Sequence, residues 1–258
     1  MLNFDTYGAG KPPLMIVHGL YGSARNWGVI SRRLSEDRKV IAVDQRNHGD
    51  SPWYDSHNYA DMAQDLAQVI ETEMPGGAIV MGHSMGGKAS MVLAMTRPDL
   101  VKGLVVADIA PVAYSHTQIQ FIEAMRALDL SQVASRGDAN RLMQETVPDD
   151  GVRAFLLQSL DVKERRWKLN LDVLAKEMAT VTGWPEQDMA GRRYDGPTVF
   201  ISGANSDYLT SEGREVAKGH FPSAKFFKIP GAGHWLHAEK PREFEAAVRT
   251  WIDAQAFS

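Results

Sequence analysis

The chain has no cysteine. That excludes disulfides, a thiol nucleophile and thiolate metal sites, and it fits a reducing compartment. The eight histidines show no metal-ligand spacing either, so no metal is expected. Net charge is small: 28 basic against 32 acidic residues give −4. A general nucleic-acid binder would need a clear basic excess. No apolar run approaches the length of a membrane span. The first residues, Met1-Leu2-Asn3-Phe4-Asp5, lack a basic stretch leading into an apolar one, so no signal peptide and a cytoplasmic location are expected. Repeats and low-complexity tracts are missing. No G-x-G-x-x-G opens a helix, which disfavours dinucleotide binding. No cofactor is expected.

What is there is a chain of 258 residues, 44% hydrophobic and 23% charged. That suits one large α/β domain, or a core with an insertion, burying roughly three quarters of its unfolded surface. Short apolar runs alternate with helical patterns. The runs are Leu14–Val17, Val40–Val43, Ala78–Met81, Leu104–Ala107, Thr198–Ile201 and Lys225–Ile229. Continuous runs of this kind predict strands buried on both faces of a doubly wound, mostly parallel sheet. Between them, Met62, Leu66, Val69 and Ile70 stripe one helix, with Asn58 as its N-cap. Phe244, Val248, Trp251 and Ile252 stripe another, with Pro241 in its first turn. Ligands of such sheets bind beyond the carboxyl ends of the strands, so the residues that end the runs matter most.

From Pro111 to about Arg193 the alternation stops. Helical stripes replace buried strands: Ile119, Ile122, Met125 and Leu128; Val152, Phe155, Leu156 and Leu160; Leu174 and Met178. The segment is too long for one crossover. The expected division is a core of residues 1–111 and 194–258 with an inserted helical cap at 112–193.

The most telling feature is Gly82-His83-Ser84-Met85-Gly86, which reads G-x-S-x-G between a strand and a helix. In that context the serine sits on a sharp, strained turn with its hydroxyl presented. Small residues are needed at 82 and 86 because strand and helix nearly touch. The Met85 amide, at the helix start, then faces the place where an oxyanion forms. The same residues, Gly82 to Ala89, fall one short of a phosphate-binding P-loop. Ala89 stands where that loop needs Ser or Thr for magnesium.

A serine hydroxyl needs a base. His234, in Gly231-Ala232-Gly233-His234-Trp235 after the last run, is the candidate, and the order Ser then His is the hydrolase order. His237 reads as a structural or rim residue and His83 as a scaffold hydrogen-bonder. The glycine-flanked loop His18-Gly19-Leu20-Tyr21-Gly22-Ser23 should supply the second oxyanion donor, the Leu20 amide. Asp44 and Arg46 read as a hydrogen-bonded turn rather than as acid–base machinery.

Together, His18-Gly19, Asp44-x-Arg46-x-His48-Gly49-x-Ser51, the Ser84 turn and Gly233-His234-Trp235-x-His237-Ala238-Glu239-Lys240-Pro241 resemble the α/β-hydrolase fold. Within it, the chain is most similar to the bacterial YbfF-type esterases, capped enzymes acting on acyl esters and acyl-CoA thioesters. Asp108-Ile109-Ala110-Pro111-Val112 adds to that likeness, and Arg166-Trp167 and Gly183-Trp184-Pro185 carry it weakly into the cap. The resemblance implies Ser84 as nucleophile, His234 as base and a carboxylate orienting the histidine.

The acid departs from the commonest pattern, Gly-x-x-Asp after the penultimate strand. Gly203-Ala204-Asn205 is followed by Ser206, and Asp207 comes one residue late. The resemblance offers Asp108, at the end of the strand after the nucleophile helix, with Ser206 as a helper. Asp108 is preferred and Asp207 kept as the alternative. The expected activity is cofactor-free hydrolysis of a small-molecule carboxylic ester or acyl thioester through an acyl-enzyme. A carbon–carbon bond hydrolase or a haloperoxidase-like enzyme would use the same core. A non-catalytic small-molecule binder on this scaffold is the alternative from another class.

Overall fold

The computed structural model describes residues 1–255 and 257. Its strands are β1 (Phe4–Tyr7), β2 (Leu14–Val17), β3 (Val40–Val43), β4 (Ala78–His83), β5 (Val101–Ala107), β6 (Leu160–Asp161), β7 (Arg166–Trp167), β8 (Thr198–Gly203) and β9 (Ala224–Ile229). The first helices are α1 (Gly28–Leu34), α2 (Tyr59–Glu73), α3 (Met85–Thr96), α4 (Ile119–Ala127), α5 (Arg136–Leu142) and α6 (Asp150–Leu156). Then come α7 (Leu171–Lys176), α8 (Met178–Thr182), α9 (Glu186–Met189), α10 (Ser211–His220), α11 (Leu236–Glu239) and α12 (Pro241–Asp253).

Seven strands form one sheet in the order β1-β3-β2-β4-β5-β8-β9. Only β1 is antiparallel to its neighbour. The runs at β2, β3 and β4 are wholly buried, as continuous apolar strands between two helical layers must be. Met15, Val17 and Val80 pack into one layer with α2 and α3, and Leu14, Ile16 and Ile79 into the other with α1 and α12. Each fully buried Leu, Ile or Val in these layers contributes roughly 1.5–3 kcal/mol. Asn58 caps α2, its side chain accepting from the Asp61 amide at 2.8 Å, and Pro241 opens α12.

The structure adds one strand to the sequence reading and corrects two of its expectations. β1 was not foreseen, because Phe4-Asp5-Thr6-Tyr7 carries no apolar run and lies half-exposed at the sheet edge. Lys225–Ile229 is not buried on both faces: β9 is the opposite edge strand, and Phe227 is 46% exposed. Edge lysines at 225 and 228 suit that position. Finally, the segment between β5 and β8 is helical but also holds the short hairpin β6–β7, to which Leu160 belongs. This segment has its own apolar core of Ile122, Met125, Leu156, Trp167 and Leu174, which extends onto Leu20 and Tyr21 of the loop after β2.

After β2 the chain moves outward to β3, then returns to place β4 on the other side of β2. The carboxyl ends of β2 and β4 therefore flank the switch point of the sheet, where α/β sheets bind ligands.

Candidate active site

Register brings the site together. Val17 pairs with Gly82, so the loop that begins at His18 and the turn at Ser84 leave the sheet close together. His83 pairs with Ala107, and the Ser84 amide donates to the Ala107 carbonyl at 3.0 Å, which sets Asp108 beside the serine turn. Gly203 pairs with Ile229, just before the loop that carries His234.

Ser84 stands between β4 and α3 with φ 51° and ψ −119°. A non-glycine residue there is strained and is held by its surroundings. A Cβ at Gly82 would lie 2.2 Å from the Gly86 carbonyl oxygen, and one at Gly86 would lie 2.4 Å from the carbonyl oxygens of both Val17 and His18. Only glycine fits either position.

The Ser84 hydroxyl lies 3.1 Å from His234 Nε2, and His234 Nδ1 lies 2.7 Å from Asp108 Oδ2. A carboxylate only accepts, so Nδ1 donates and Nε2 is left to accept from the serine hydroxyl. Asp108 has no solvent exposure. Its carboxylate also accepts from the Gly203 amide at 2.9 Å and from the Ser206 hydroxyl. Asp207 is exposed and makes no hydrogen bond to His234. The one-residue delay in the sequence thus brings Ser206, not Asp207, to the buried carboxylate.

The loop at Leu20 is fixed from several sides. The Gly22 amide donates to the Gly19 carbonyl at 3.0 Å, closing a turn in which Tyr21 takes φ 63°. The Tyr21 amide donates to His48 Nε2 at 3.2 Å, and its hydroxyl to the Gln118 carbonyl at 2.8 Å. The amides of Leu20 and Met85 have no hydrogen-bond partner among the described residues, and both residues line the cavity that holds Ser84. Both amides are thus left unpaired in residues that share the cavity with Ser84.

His18, His48, His57, His83 and His237 are buried. His83 Nε2 donates to the His234 carbonyl at 2.8 Å and so steadies the histidine loop. His18 Nδ1 donates to the Gly19 carbonyl while its Nε2 accepts from the Gln45 amide. His237 stacks on Trp27 with ring centres 4.1 Å apart. Burial holds the His18, His48 and His83 imidazoles below the ordinary histidine range, and it pushes those of His57 and His237 down to about 3. Asp44 accepts from the amides of Ala24 and Asp50, and Arg46 pairs with Asp65 and Asp61. Neither lines the cavity.

Sequence reasoning missed two residues. Tyr208 stacks on His234 with centres 3.8 Å apart and rings 17° from parallel. Lys88, one turn after Ser84, is buried and lines the same cavity. Elsewhere the lining is largely apolar, with Leu20, Ile109, Phe121, Val152, Phe155 and Val181 among it. Among the described residues no helix is long and apolar enough to cross a membrane, and no His, Cys, Asp and Glu group has the form of a metal site.

Residues 12–241 match the family model described as the alpha/beta hydrolase fold. The chain is 38% identical to esterase YbfF of Escherichia coli over 244 residues, 93% of each protein. It is 37% identical to the sn-1-specific diacylglycerol lipase ABHD11 of Mus musculus over 255 residues, 95% of this chain and 82% of that protein. A solved structure described as a marine microorganism esterase superposes with a TM-score of 0.91 at 36% identity, covering 97% of this chain and 98% of its own. On its fold, its serine turn and these likenesses, the chain belongs to the α/β-hydrolase fold family, among relatives that are esterases and lipases.

Proposed function

We propose that the protein is a serine hydrolase of carboxylic esters and acyl thioesters. The observation that carries this is the unbroken chain from the Ser84 hydroxyl through His234 to buried Asp108, opening on a mostly apolar cavity. Ser84 Oγ attacks the acyl carbonyl carbon as His234 Nε2 takes its proton. The oxyanion is held by the amides of Leu20 and Met85, and Asp108 stabilises the imidazolium. Collapse expels the alcohol or thiol, which carries off the proton from His234. Water, deprotonated by His234, then attacks the acyl-enzyme and releases the acid. Nucleophile, base and oxyanion donors are all groups of this chain, so the cycle needs no cofactor. CoA thioesters present the same electrophilic carbonyl with a better leaving group and fall within the class.

Residues 112–193 act as a cap that selects the acyl group. Phe121, Val152, Phe155 and Val181 of this segment face the cavity together with Ser84. The segment is pinned to the core by Tyr59, whose hydroxyl donates to the Val181 carbonyl at 2.5 Å, and by Ser159, whose hydroxyl donates to the Tyr21 carbonyl at 2.9 Å.

A fluorophosphonate probe followed by peptide mass spectrometry tests the reading. The label is expected on Ser84, with turnover of 4-nitrophenyl butyrate lost in Ser84→Ala. Label on another serine, or an active Ser84→Ala protein, overturns it.

A further inference from the structure

Tyr21 directly follows Leu20 in the loop after β2 and is buried. Its φ of 63° is one that a bulky side chain keeps only when its surroundings hold it there. The loop runs tightly against the nucleophile, since a Cβ at Gly19 would lie 3.3 Å from the Ser84 Cβ. The Leu20 amide sits one peptide before the Tyr21 φ, so its direction is tied to whether Tyr21 keeps that angle.

Every polar group of Tyr21 is engaged. Its amide donates to His48 Nε2 at 3.2 Å. That nitrogen accepts because His48 Nδ1 donates to the Arg46 carbonyl at 2.9 Å, which fixes the tautomer. The Tyr21 carbonyl accepts from the Ser159 hydroxyl at 2.9 Å, and its own hydroxyl donates to the Gln118 carbonyl at 2.8 Å. The ring packs into the apolar core of the segment between β5 and β8, edge-on to Phe121 with ring centres 6.4 Å apart. His48 thus grips Tyr21 from the loop after β3, while Gln118, Phe121 and Ser159 grip it from the inserted segment. Two of its three hydrogen bonds would go if that segment moved away. Ser159 does not line the cavity, so its path to the reaction runs through Tyr21.

We propose that Tyr21 is the positioning residue of the Leu20 oxyanion donor, and that the inserted segment completes the oxyanion site by holding Tyr21 through Ser159 and Gln118. This rests on the ester-hydrolase reading above. It gives the segment a part in the chemical step, beside the acyl selection that reading assigns to it.

The test removes the grip one bond at a time. Ser159→Ala deletes the bond to the Tyr21 carbonyl, and Tyr21→Phe deletes the bond to Gln118 while keeping the ring. Both variants and their combination are compared with wild type in kcat and KM for 4-nitrophenyl butyrate. They are also compared in inhibition by hexyl trifluoromethyl ketone and hexyl methyl ketone. Ser84 Oγ adds to the trifluoromethyl ketone at its carbonyl carbon, the serine proton passes to His234, and the ketone oxygen becomes an oxyanion. The methyl ketone is a far weaker electrophile and reports binding in the cavity. The ratio of the two inhibition constants therefore reads the oxyanion site, and general loosening of the cavity affects both ketones and cancels. Loss of a whole donor costs about a hundred- to a thousandfold, so a donor displaced in the double variant should cost about tenfold or more, both in kcat and in the ketone ratio. A smaller loss in either, or a loss seen only as a raised KM, overturns the proposal and leaves Tyr21 as an apolar anchor of the inserted segment. Should the double variant not fold, Ser159→Ala alone carries the test, with about a threefold loss in both readouts as its criterion. A wild type that neither turns over ester nor prefers the trifluoromethyl ketone overturns the hydrolase reading and this proposal together. A wild type that does both, with variants that match it, overturns this proposal alone.

Discussion

Replacing Asp108 by Asn removes one charge and leaves the shape nearly unchanged. The position has φ 51°, a region in which Asn is among the most tolerant residues, so the fold should survive. The amide oxygen can still accept from Gly203, as Oδ1 does now. What changes is the group facing His234 Nδ1 at 2.7 Å. When His234 takes the serine proton, its positive charge lies about 4 Å from the carboxylate charge. At an effective dielectric constant of about 20 that attraction is on the order of 4 kcal/mol. About 1.4 kcal/mol is tenfold in rate, so the charge alone accounts for roughly three orders of magnitude. An amide NH2 facing Nδ1 also favours the tautomer in which Nε2 carries the proton and cannot accept from Ser84. With both effects, kcat for 4-nitrophenyl butyrate should fall about 10³- to 10⁴-fold, the usual loss for the acid of a serine triad. Asp207→Asn, at an exposed position, should stay within about threefold of wild type. Both variants are to be compared at equal folded concentration, checked by thermal melting. If Asp207→Asn collapses turnover while Asp108→Asn stays near wild type, the assignment of the acid is wrong.

Two further predictions concern stability. Gly86→Ala should destabilise the protein by at least the roughly 1–3 kcal/mol typical of overpacking, because the new methyl meets two backbone oxygens at 2.4 Å and neither can swing away; an unchanged urea midpoint would refute this. His57 and His237, held near 3 by burial, stay neutral in the folded protein, whereas unfolded histidine titrates near 6.5. Below pH ~6.5 the unfolded state therefore binds more protons, and stability present above that pH is lost as pH falls toward 3, by roughly 2 kcal/mol per histidine at pH 5. Thermal melts between pH 7.5 and 5 should show Tm falling, and His237→Phe should flatten the slope; a Tm independent of pH would count against the buried neutral state.

The sheet was legible because parallel strands covered on both faces leave unbroken apolar runs, and the residues that end those runs are the ones that meet. Two edge strands escaped the same reasoning. Phe4–Tyr7 has no run, and Ala224–Ile229 has a run that water reaches. Asp108 at His234 was approached through a spacing argument, in which the aspartate after Gly203 comes one residue late. Tyr208 gave no such signal, since its stacking depends on how two loops fold over each other. Lys88 is different, because a signal was present and pointed away from the obvious reading. Lysines in helices are normally solvated, and local pattern alone cannot bring Tyr59, Tyr114 and Thr182 around one. Yet Met85–Thr96 is apolar or small on every face apart from this lysine, a single serine and the terminal threonine, and a helix apolar all round is a buried helix. A sole charge within a helix that must be buried cannot reach water by leaning over an edge. It has to find polar partners inside the protein, and one turn past Ser84 the inside includes the cavity.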